Sequence, residues 1–450
     1  MSSSRKAALS TKVKYNLKQL QQQKLSLQKR FIQATVDLPD EMWKEVIGYL
    51  DLQSVLTFPC VCKKWRCLVD NETLWQRVFL KHAAISPFTF RIPDSTAGEA
   101  KGMSFWKSKC LKYFIGQRNK YYKSKVKKNI YTGTTNNMEQ LLKNIGVKFQ
   151  LGIEDIAGRK HCLKLSYKKV FKSSTLLQWN SLNLFPDWRE IKAVKVFGLV
   201  PVLYQAYNKP LKSSPLQKSL LTSIVIPKGL QTCCSDEKLS LIRVTSFLCV
   251  ALWKGSTDVA FVMASLHHHN LIDKLLYGSE ERMYSIEHCP ILDDIDHKYG
   301  LHSYDCHLHL HSSSETIWEE KFTCMGCEII DKLVQLNVTR FSPFCNSVPS
   351  LSWKTDLFHG SLNRVALLDV TVIDCNKVIM WSNSGIVIGE SSQQTEVDFD
   401  NFTEEFLFTL TDQFGSVEMK YKLTDGNYII TAVKVGIWVK HLNGWFATNY

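Results

Sequence analysis

The chain has 450 residues, 45% of them apolar, and a formal net charge of +14, which describes a globular protein with room for two or three domains and a buried core. No run of eighteen or more uncharged apolar residues occurs, since the nearest, Ala193 to Tyr207, holds Lys195 and Pro201, so a helical membrane span is excluded. The opening MSSSRKAALS lacks the apolar stretch of a secretory signal, so the 14 cysteines are expected as reduced thiols in the cytosol or nucleus, with the sequons at Asn71, Asn337 and Asn401 unmodified.

The positive charge is concentrated in two blocks. No acidic residue precedes Asp37, whereas Arg5, Lys6, Lys12, Lys14, Lys18, Lys24, Lys29 and Arg30 do; the interval between Glu99 and Glu139 is likewise free of acids while ten basic residues run from Lys101 to Lys128. Within residues 1–36, Leu17, Leu20, Leu27 and Phe31 have heptad-like spacing interrupted by Lys24, too short for a convincing coiled coil. A solvated basic helix or disordered tail is expected there, with nucleic-acid contact or nuclear addressing as its functional alternatives.

Residues 37–82 carry the clearest pattern. Leu38-Pro39 followed by Asp40-Glu41 opens a helix, because proline fits the first turn and acids favour the positive end of the helix dipole. Met42, Val46, Tyr49 and Leu50 recur at helical spacing and share a face; after Asp51 a second register carries Val55, Leu56, Val61, Cys62, Trp65 and Leu68, and a turn at Asp70-Asn71 leads to Leu74 and Trp75. Three short amphipathic helices are predicted. A unit this small cannot cover all its apolar groups and calls for a partner.

This stretch resembles the F-box: Leu38, Pro39, Glu41, Met42, Val46, Tyr49, Leu50, Leu56, Val61, Cys62, Lys64, Trp65, Leu68, Leu74 and Trp75 follow the family's pattern in order. One departure is Pro59, where the family continues its second helix and proline removes a hydrogen bond and kinks the chain. The resemblance implies docking on the adaptor subunit of an SCF (cullin-RING) ubiquitin ligase, and through it on cullin and RING subunits. The expected adaptor-binding residues are Leu38, Pro39, Met42, Val46, Tyr49, Leu50, Leu56, Val61, Cys62, Trp65, Leu68, Leu74 and Trp75, acting in the interface or in the small core that shapes it.

Residues 83–145 read as linker and basic helix. Pro87, Pro93, Gly98 and Gly102 punctuate the first part. Phe105, Trp106, Cys110, Tyr113 and Phe114 then form an apolar face, resembling the SWK-type helix that often follows an F-box. The interleaved lysines and tyrosines suit a nucleic-acid backbone. No recognised nucleic-acid module surrounds them, so a helix packed by its aromatic face is the expectation.

From Gly146 the periodicity alternates. Strands are predicted at Val147–Leu151, Cys162–Tyr167, Ala193–Phe197, Ser223–Ile226, Leu241–Trp253, Val259–Leu266, Cys306–His311, Lys332–Val338, Val365–Ile373, Val378–Trp381, Phe406–Leu410, Ser416–Tyr421 and Tyr428–Val439, with turns at Gly255-Ser256-Thr257, at 412–415 and at Asp425-Gly426-Asn427. The fold class is therefore α+β: an N-terminal three-helix F-box, a helical linker, and a large antiparallel β-rich region over 146–450, as a sandwich or curved sheet and as one or two subdomains. No repeat of fixed period is evident, which argues against a propeller or leucine-rich solenoid. The segments DVAFVMASLHHHNLI, YGLHSYDCHLHLHS, LSWKTDLFHG, LLDVTVID and WFATNY resemble a family-specific β-rich region found behind an F-box, which implies substrate recognition by this part, through loops and exposed aromatics.

Local chemistry is sparse. His307, His309 and His311 alternate along a strand and so share a face, with Cys306 before them and Cys324-Met325-Gly326-Cys327 after; a zinc site normally shows two compact ligand pairs, so a solvent-facing strand with polar imidazoles is expected instead. His267-His268-His269 point to alternate faces. Asp293, Asp294, Asp296 and His297 read as a solvated loop. No GxGxxG, GxxxxGK[ST] or GxSxG motif occurs. No catalysis, metal or cofactor is expected; the contribution of such a chain is proximity, holding a protein target near a charged conjugating enzyme. Two other readings stay open: a nucleic-acid-associated protein using the basic blocks, and an F-box adaptor acting outside ubiquitination.

Overall fold

The computed structural model describes residues 38–83, 105–129, 135–180, 185–204, 209–211, 213–286, 288–289, 303–338, 340–391, 404–424 and 427–450. The basic tail, the Pro87–Gly102 linker, Asp293 to His297 and the turn residues Asp425 and Gly426 lie outside them. The chain divides into two compact units between Tyr113 and Phe114, a point inside the helix Phe105–Lys125.

The first unit is helical. Its elements are Asp40–Tyr49, Leu52–Thr57, Lys63–Val69 and Glu72–Ala83, followed by the start of Phe105–Lys125. Sequence periodicity gave three helices where there are four, because the second register breaks in the middle. Pro59 sits within a 3-10 turn, Phe58–Cys60, which ends the helix Leu52–Thr57, and the Cys62 sulfur then accepts from the Trp65 amide to start the next helix. Inside, Ile47, Val55, Leu68, Val69, Trp75 and Phe79 are buried, and the Trp75 indole donates to the Val69 carbonyl at 2.8 Å. Glu72 accepts from the free amides of Phe105 and Trp106 at 2.7 and 3.1 Å, capping the helix on which Trp106 and Tyr113 pack around Phe79. Trp75→Ala should cost about 3–5 kcal/mol; hydrogen exchange at the amides of Leu68 to Phe79 would accelerate accordingly, and an unchanged exchange rate would refute the assignment of Trp75 as the core.

Among the described residues the second unit has four large antiparallel sheets, in which one plan occurs twice, and a separate two-stranded hairpin. In the first half Lys160–Lys164, Lys148–Asp155, Ile191–Pro201 and Leu216–Val225 form a four-stranded sheet in that spatial order. Beside it, Tyr167–Val170, Ser174–Asn180, Val259–His267, Leu248–Trp253, Leu239–Thr245 and Thr232–Ser235 form a six-stranded one. In the second half the four-stranded sheet is Thr316–Met325, Tyr304–His311, Val365–Ile373 and Ile379–Ile388. Its six-stranded companion is Cys327–Ile330, Leu333–Leu336, Asn427–Trp438, Gly415–Thr424, Glu405–Thr411 and Glu390–Ser391. Counted within its own half, each pair of sheets has the strand order 2-1-5-6 and 3-4-10-9-8-7. A short helix follows the tenth strand in both, Leu271–Tyr277 and Val439–Phe446. The second half adds one hairpin, Ser350–Lys354 with His359–Asn363, between its fourth and fifth strands.

The unit is thus a topological duplication, which the absence of a fixed sequence period concealed. Each half has its own core between its two sheets, with Phe149, Val194, Trp179 and Val262 in the first and Leu308, Val370, Phe408 and Met419 in the second. A third apolar cluster joins the halves. It sets Leu176, Leu241, Phe261 and Met263 of the first half's six-stranded sheet against Leu351, Trp353, Leu367 and Ile386 of the second half. Strands such as Val365–Ile373 are consequently buried along their whole length, which explains their continuous apolar runs.

The predicted strands overlap observed ones, with revisions. Cys162–Tyr167 covers the end of Lys160–Lys164 and the start of Tyr167–Val170, which belong to different sheets, and Leu241–Trp253 is two strands joined at Ser246-Phe247. Ser174–Asn180, Thr232–Ser235, Thr316–Met325, Cys327–Ile330, Glu390–Ser391 and the hairpin Ser350–Lys354 with His359–Asn363 were not foreseen. Met138–Ile145, assigned to the linker, is a helix whose Met138, Leu141, Leu142 and Ile145 belong to the first core. The basic helix is also built into this unit by its last turns. Arg118 is buried and donates to the Pro201 carbonyl at 3.0 Å and to Asn119 and Gln217, and burial lowers its pKa.

Candidate partner-binding face

The helix Asp40–Tyr49 turns two different faces to its surroundings. Ile47 is buried and Trp43 half-buried, the latter in an aromatic group with Phe58 and Trp65, whose rings stack at 4.1 Å. On the other side Met42, Val46 and Tyr49, at steps of four and three residues, are 53%, 45% and 82% exposed. Among the described residues of the unit nothing covers this row, although hydrophobic side chains of this size ordinarily find shelter. Val61, just past the 3-10 turn, adds another, 66% exposed. The row is flanked by charge pairs that fix the helix, Glu45 with Arg77 at 2.9 Å and Asp40 with Lys64 at 3.6 Å.

The expected adaptor-binding residues therefore separate into groups. Pro39, Met42, Val46, Tyr49, Val61 and Cys62 are exposed; Leu38, Leu50, Leu56 and Trp65 are half-buried and offer part of their surface. Leu68, Leu74 and Trp75 are at most 4% exposed. Of the two roles expected for the set, these three take the core one: they lie inside the unit, where they hold the helices in place.

The histidine strand, the most tempting catalytic or metal candidate, is not a solvent-facing edge. Tyr304–His311 pairs on both sides, with Thr316–Met325 and Val365–Ile373, and His307, His309 and His311 do share one face. That face is turned into the joint between the two halves. His311 Nε2 lies 3.0 Å from Asp369 Oδ2 and its ring stacks on Phe171 at 4.2 Å; Ser173 Oγ lies 2.6 Å from the same carboxylate and 3.2 Å from His309 Nδ1. Ser384 donates to the other Asp369 oxygen at 2.5 Å, and His267 meets Thr371 at 3.0 Å. Burial holds His307, His309 and His268 down at about 4, as neutral imidazoles. Burial pushes the Asp369 carboxyl up, but His311 and Ser173 outweigh it, and its pKa falls well below the usual carboxylate range. The arrangement has the residue types of a nucleophile-base-acid set, but every member is enclosed, so it works as a polar fastening. Among the described residues no group of three or more His, Cys, Asp and Glu has metal-ligating geometry. Cys324 is exposed, Cys327 half-buried and Cys306 on the opposite, core-facing side of the histidine strand.

Residues 36–77 match the F-box domain. Over nearly the whole chain, similarity extends to F-box only protein 15: 25% identity over 446 residues with the Macaca fascicularis protein, covering 92% of this chain and 100% of that one, 25% over 447 residues with the Homo sapiens protein, covering 92% and 85%, and 22% over 447 residues with the Mus musculus protein, covering 91% and 99%. Among solved structures, kievitone hydratase from Nectria haematococca aligns over 65% of this chain and 88% of its own at 6% identity, with a TM-score of 0.08, which relates no fold.

Proposed function

We infer that this chain, with an F-box domain at residues 36–77 and similarity to F-box only protein 15 along most of its length, is the substrate-recognition subunit of an SCF (cullin-RING) ubiquitin ligase. The observation that carries the reading is the uncovered row Met42, Val46 and Tyr49 on the first helix of that domain. A small helical unit leaving such side chains in water is stabilised by association with an apolar surface, here the adaptor subunit, and gains roughly 25 cal/mol for each Å² so covered. The duplicated β unit then holds the protein target. Ubiquitin chemistry stays on the partners, and this chain raises the effective concentration of an acceptor lysine by tethering. A cytosolic or nuclear site of action follows from that role.

The test is capture of adaptor and cullin by the full-length chain, wild type against Val46→Arg and Tyr49→Asp. Both positions are exposed, so folding is retained, while a charge placed in the covered row should weaken adaptor capture by about tenfold or more, about 1.4 kcal/mol. Equal adaptor recovery by wild type and both variants would overturn the reading. Recovery of adaptor without cullin would instead assign the chain to a role outside ubiquitination.

A further inference from the structure

The outer face of the first four-stranded sheet is charged in one sense. Its four strands carry Lys148, Lys160, Lys164, Lys192, Lys195 and Lys218 against two acids, Glu154 and Asp155. Asp155 is buried and occupied by Arg159 and His161; Glu154 is shared between Lys192 and Lys195. Lys148, Lys160 and Lys164 are exposed and have no acidic partner among the described residues. The strands thus present surplus positive charge on a rigid surface.

The same face has an apolar floor that the sandwich core does not use. Phe197 and Leu220 are buried, at 5% and 6% exposure, yet belong to neither apolar cluster of the first half. What lies over them is the segment after the helix Leu271–Tyr277. The Ser279 carbonyl accepts from the Leu220 amide at 2.8 Å, Glu280 pairs with Lys218 at 2.7 Å, and Arg282 and Met283 follow, both exposed. Between segment and sheet is a cleft of about 750 Å³, in the size range of ligand sites. Gly152 widens it: a side chain there would begin 2.8 Å from the Phe197 ring. Lys160, Lys195 and Arg282 stand on its walls, and Lys218 lies over the Phe197 ring at 4.0 Å. Glu154, Glu280 and Glu281 line it too; Glu154 is held between Lys192 and Lys195, Glu280 by Lys218, and Glu281 is exposed, so Lys160 and Arg282 are the cations of the cleft with no acidic partner among the described residues, with Lys164 and Lys148 adding positive charge along the same sheet face.

We propose that this cleft is where the protein target is held, and that it accepts an extended acidic segment, apolar side chains seated on Phe197 and Leu220 and carboxylates or phosphates against Lys160 and Arg282. The assignment deepens the substrate-receptor reading and rests on it for the identity of the occupant as a target protein. Charge complementarity selects the occupant: exposed lysines on a rigid strand scaffold steer and retain an acidic chain, and the apolar floor distinguishes a peptide from a bare polyanion.

The experiment uses the full-length chain, co-expressed with the adaptor and purified through a tag on the chain itself. A fluorescein-labelled peptide of alternating glutamate and leucine is titrated by anisotropy, beside its lysine-leucine counterpart and an oligothymidylate of equal charge. The glutamate peptide should bind, the lysine peptide should not, and Lys160→Glu/Arg282→Glu, both changes at exposed positions, should weaken binding about tenfold or more. Binding unaffected by the double substitution, no binding of the acidic peptide, or tighter binding of the oligothymidylate would overturn the proposal. Adaptor capture is read in the same samples: lost capture with intact peptide binding removes the ligase reading and supports the cleft as a peptide site.

Discussion

Asp369→Ala is expected to destabilise the β unit by about 3–5 kcal/mol, the cost of breaking a buried ionic group by removing one partner. The carboxylate is wholly buried and accepts from Ser173 and Ser384 while lying 3.0 Å from His311 Nε2. Its loss leaves those donors enclosed without an acceptor, and each buried unsatisfied group adds its own penalty. Asp369→Asn keeps the shape and one acceptor oxygen but not the charge facing His311, so its cost should fall between those of alanine and wild type. The effect should be local in origin. Ser173 belongs to the first half and Ser384 to the second, so the carboxylate fastens the two together where the buried histidines meet the apolar cluster of the joint. Hydrogen exchange would show this as more than a hundredfold acceleration at the amides of residues 305–311 and 365–372 in the alanine variant. Protection unchanged in both strands would mean that the carboxylate carries no structural weight.

The sequence disclosed the F-box because its information is local: a proline-led helix start, helical spacing, and tryptophans at fixed offsets all fall within one short stretch. What it did not disclose is which side of each helix faces in. Met42, Val46 and Leu68, Leu74 look alike as apolar residues at helical spacing, and the packing of four helices against one another decides that the first pair stays in water while the second is enclosed. The β region was legible as strands for a similar reason and illegible as a duplication for the opposite one. Strand order depends on pairing between distant segments, such as Lys148–Asp155 with Ile191–Pro201, and the same order can be met by residues with little in common. Burial on both faces removed the alternation that would have marked Ser174–Asn180 as a strand. The histidine strand shows the same limit: its period placed three imidazoles on one face correctly, but a neighbouring sheet far along the chain supplies the cover that makes that face an interior.

Acidification should loosen the same joint before it touches the carboxylates. His268, His307 and His309 are nearly fully buried and hold folded pKa values of about 4 because burial disfavours their charged form. In the unfolded chain an imidazole takes a proton near its ordinary value of about 6.5. Between those limits the unfolded state binds protons that the folded state refuses, so stability falls steadily as pH drops from about 6.5 toward 4, by up to about 3 kcal/mol for each such group. Asp369 acts in the same direction at a lower pH, since its depressed pKa stabilises the fold above the ordinary carboxylate range and that contribution is lost only below it. The groups around His307 and His309 are Asp305, Lys321, Lys172, Glu319, Asp369 and His311, and the lysines reinforce the neutral form. His307 separates titration from structure, because its Nε2 is buried and meets no hydrogen-bond partner among the described residues. His307→Leu should therefore leave stability at pH 7 intact or raise it, and make its pH dependence between 6.5 and 4 shallower by one proton. Urea unfolding across that range measures both; a slope identical to wild type would show that the strand's imidazoles do not set the acid limit of the fold.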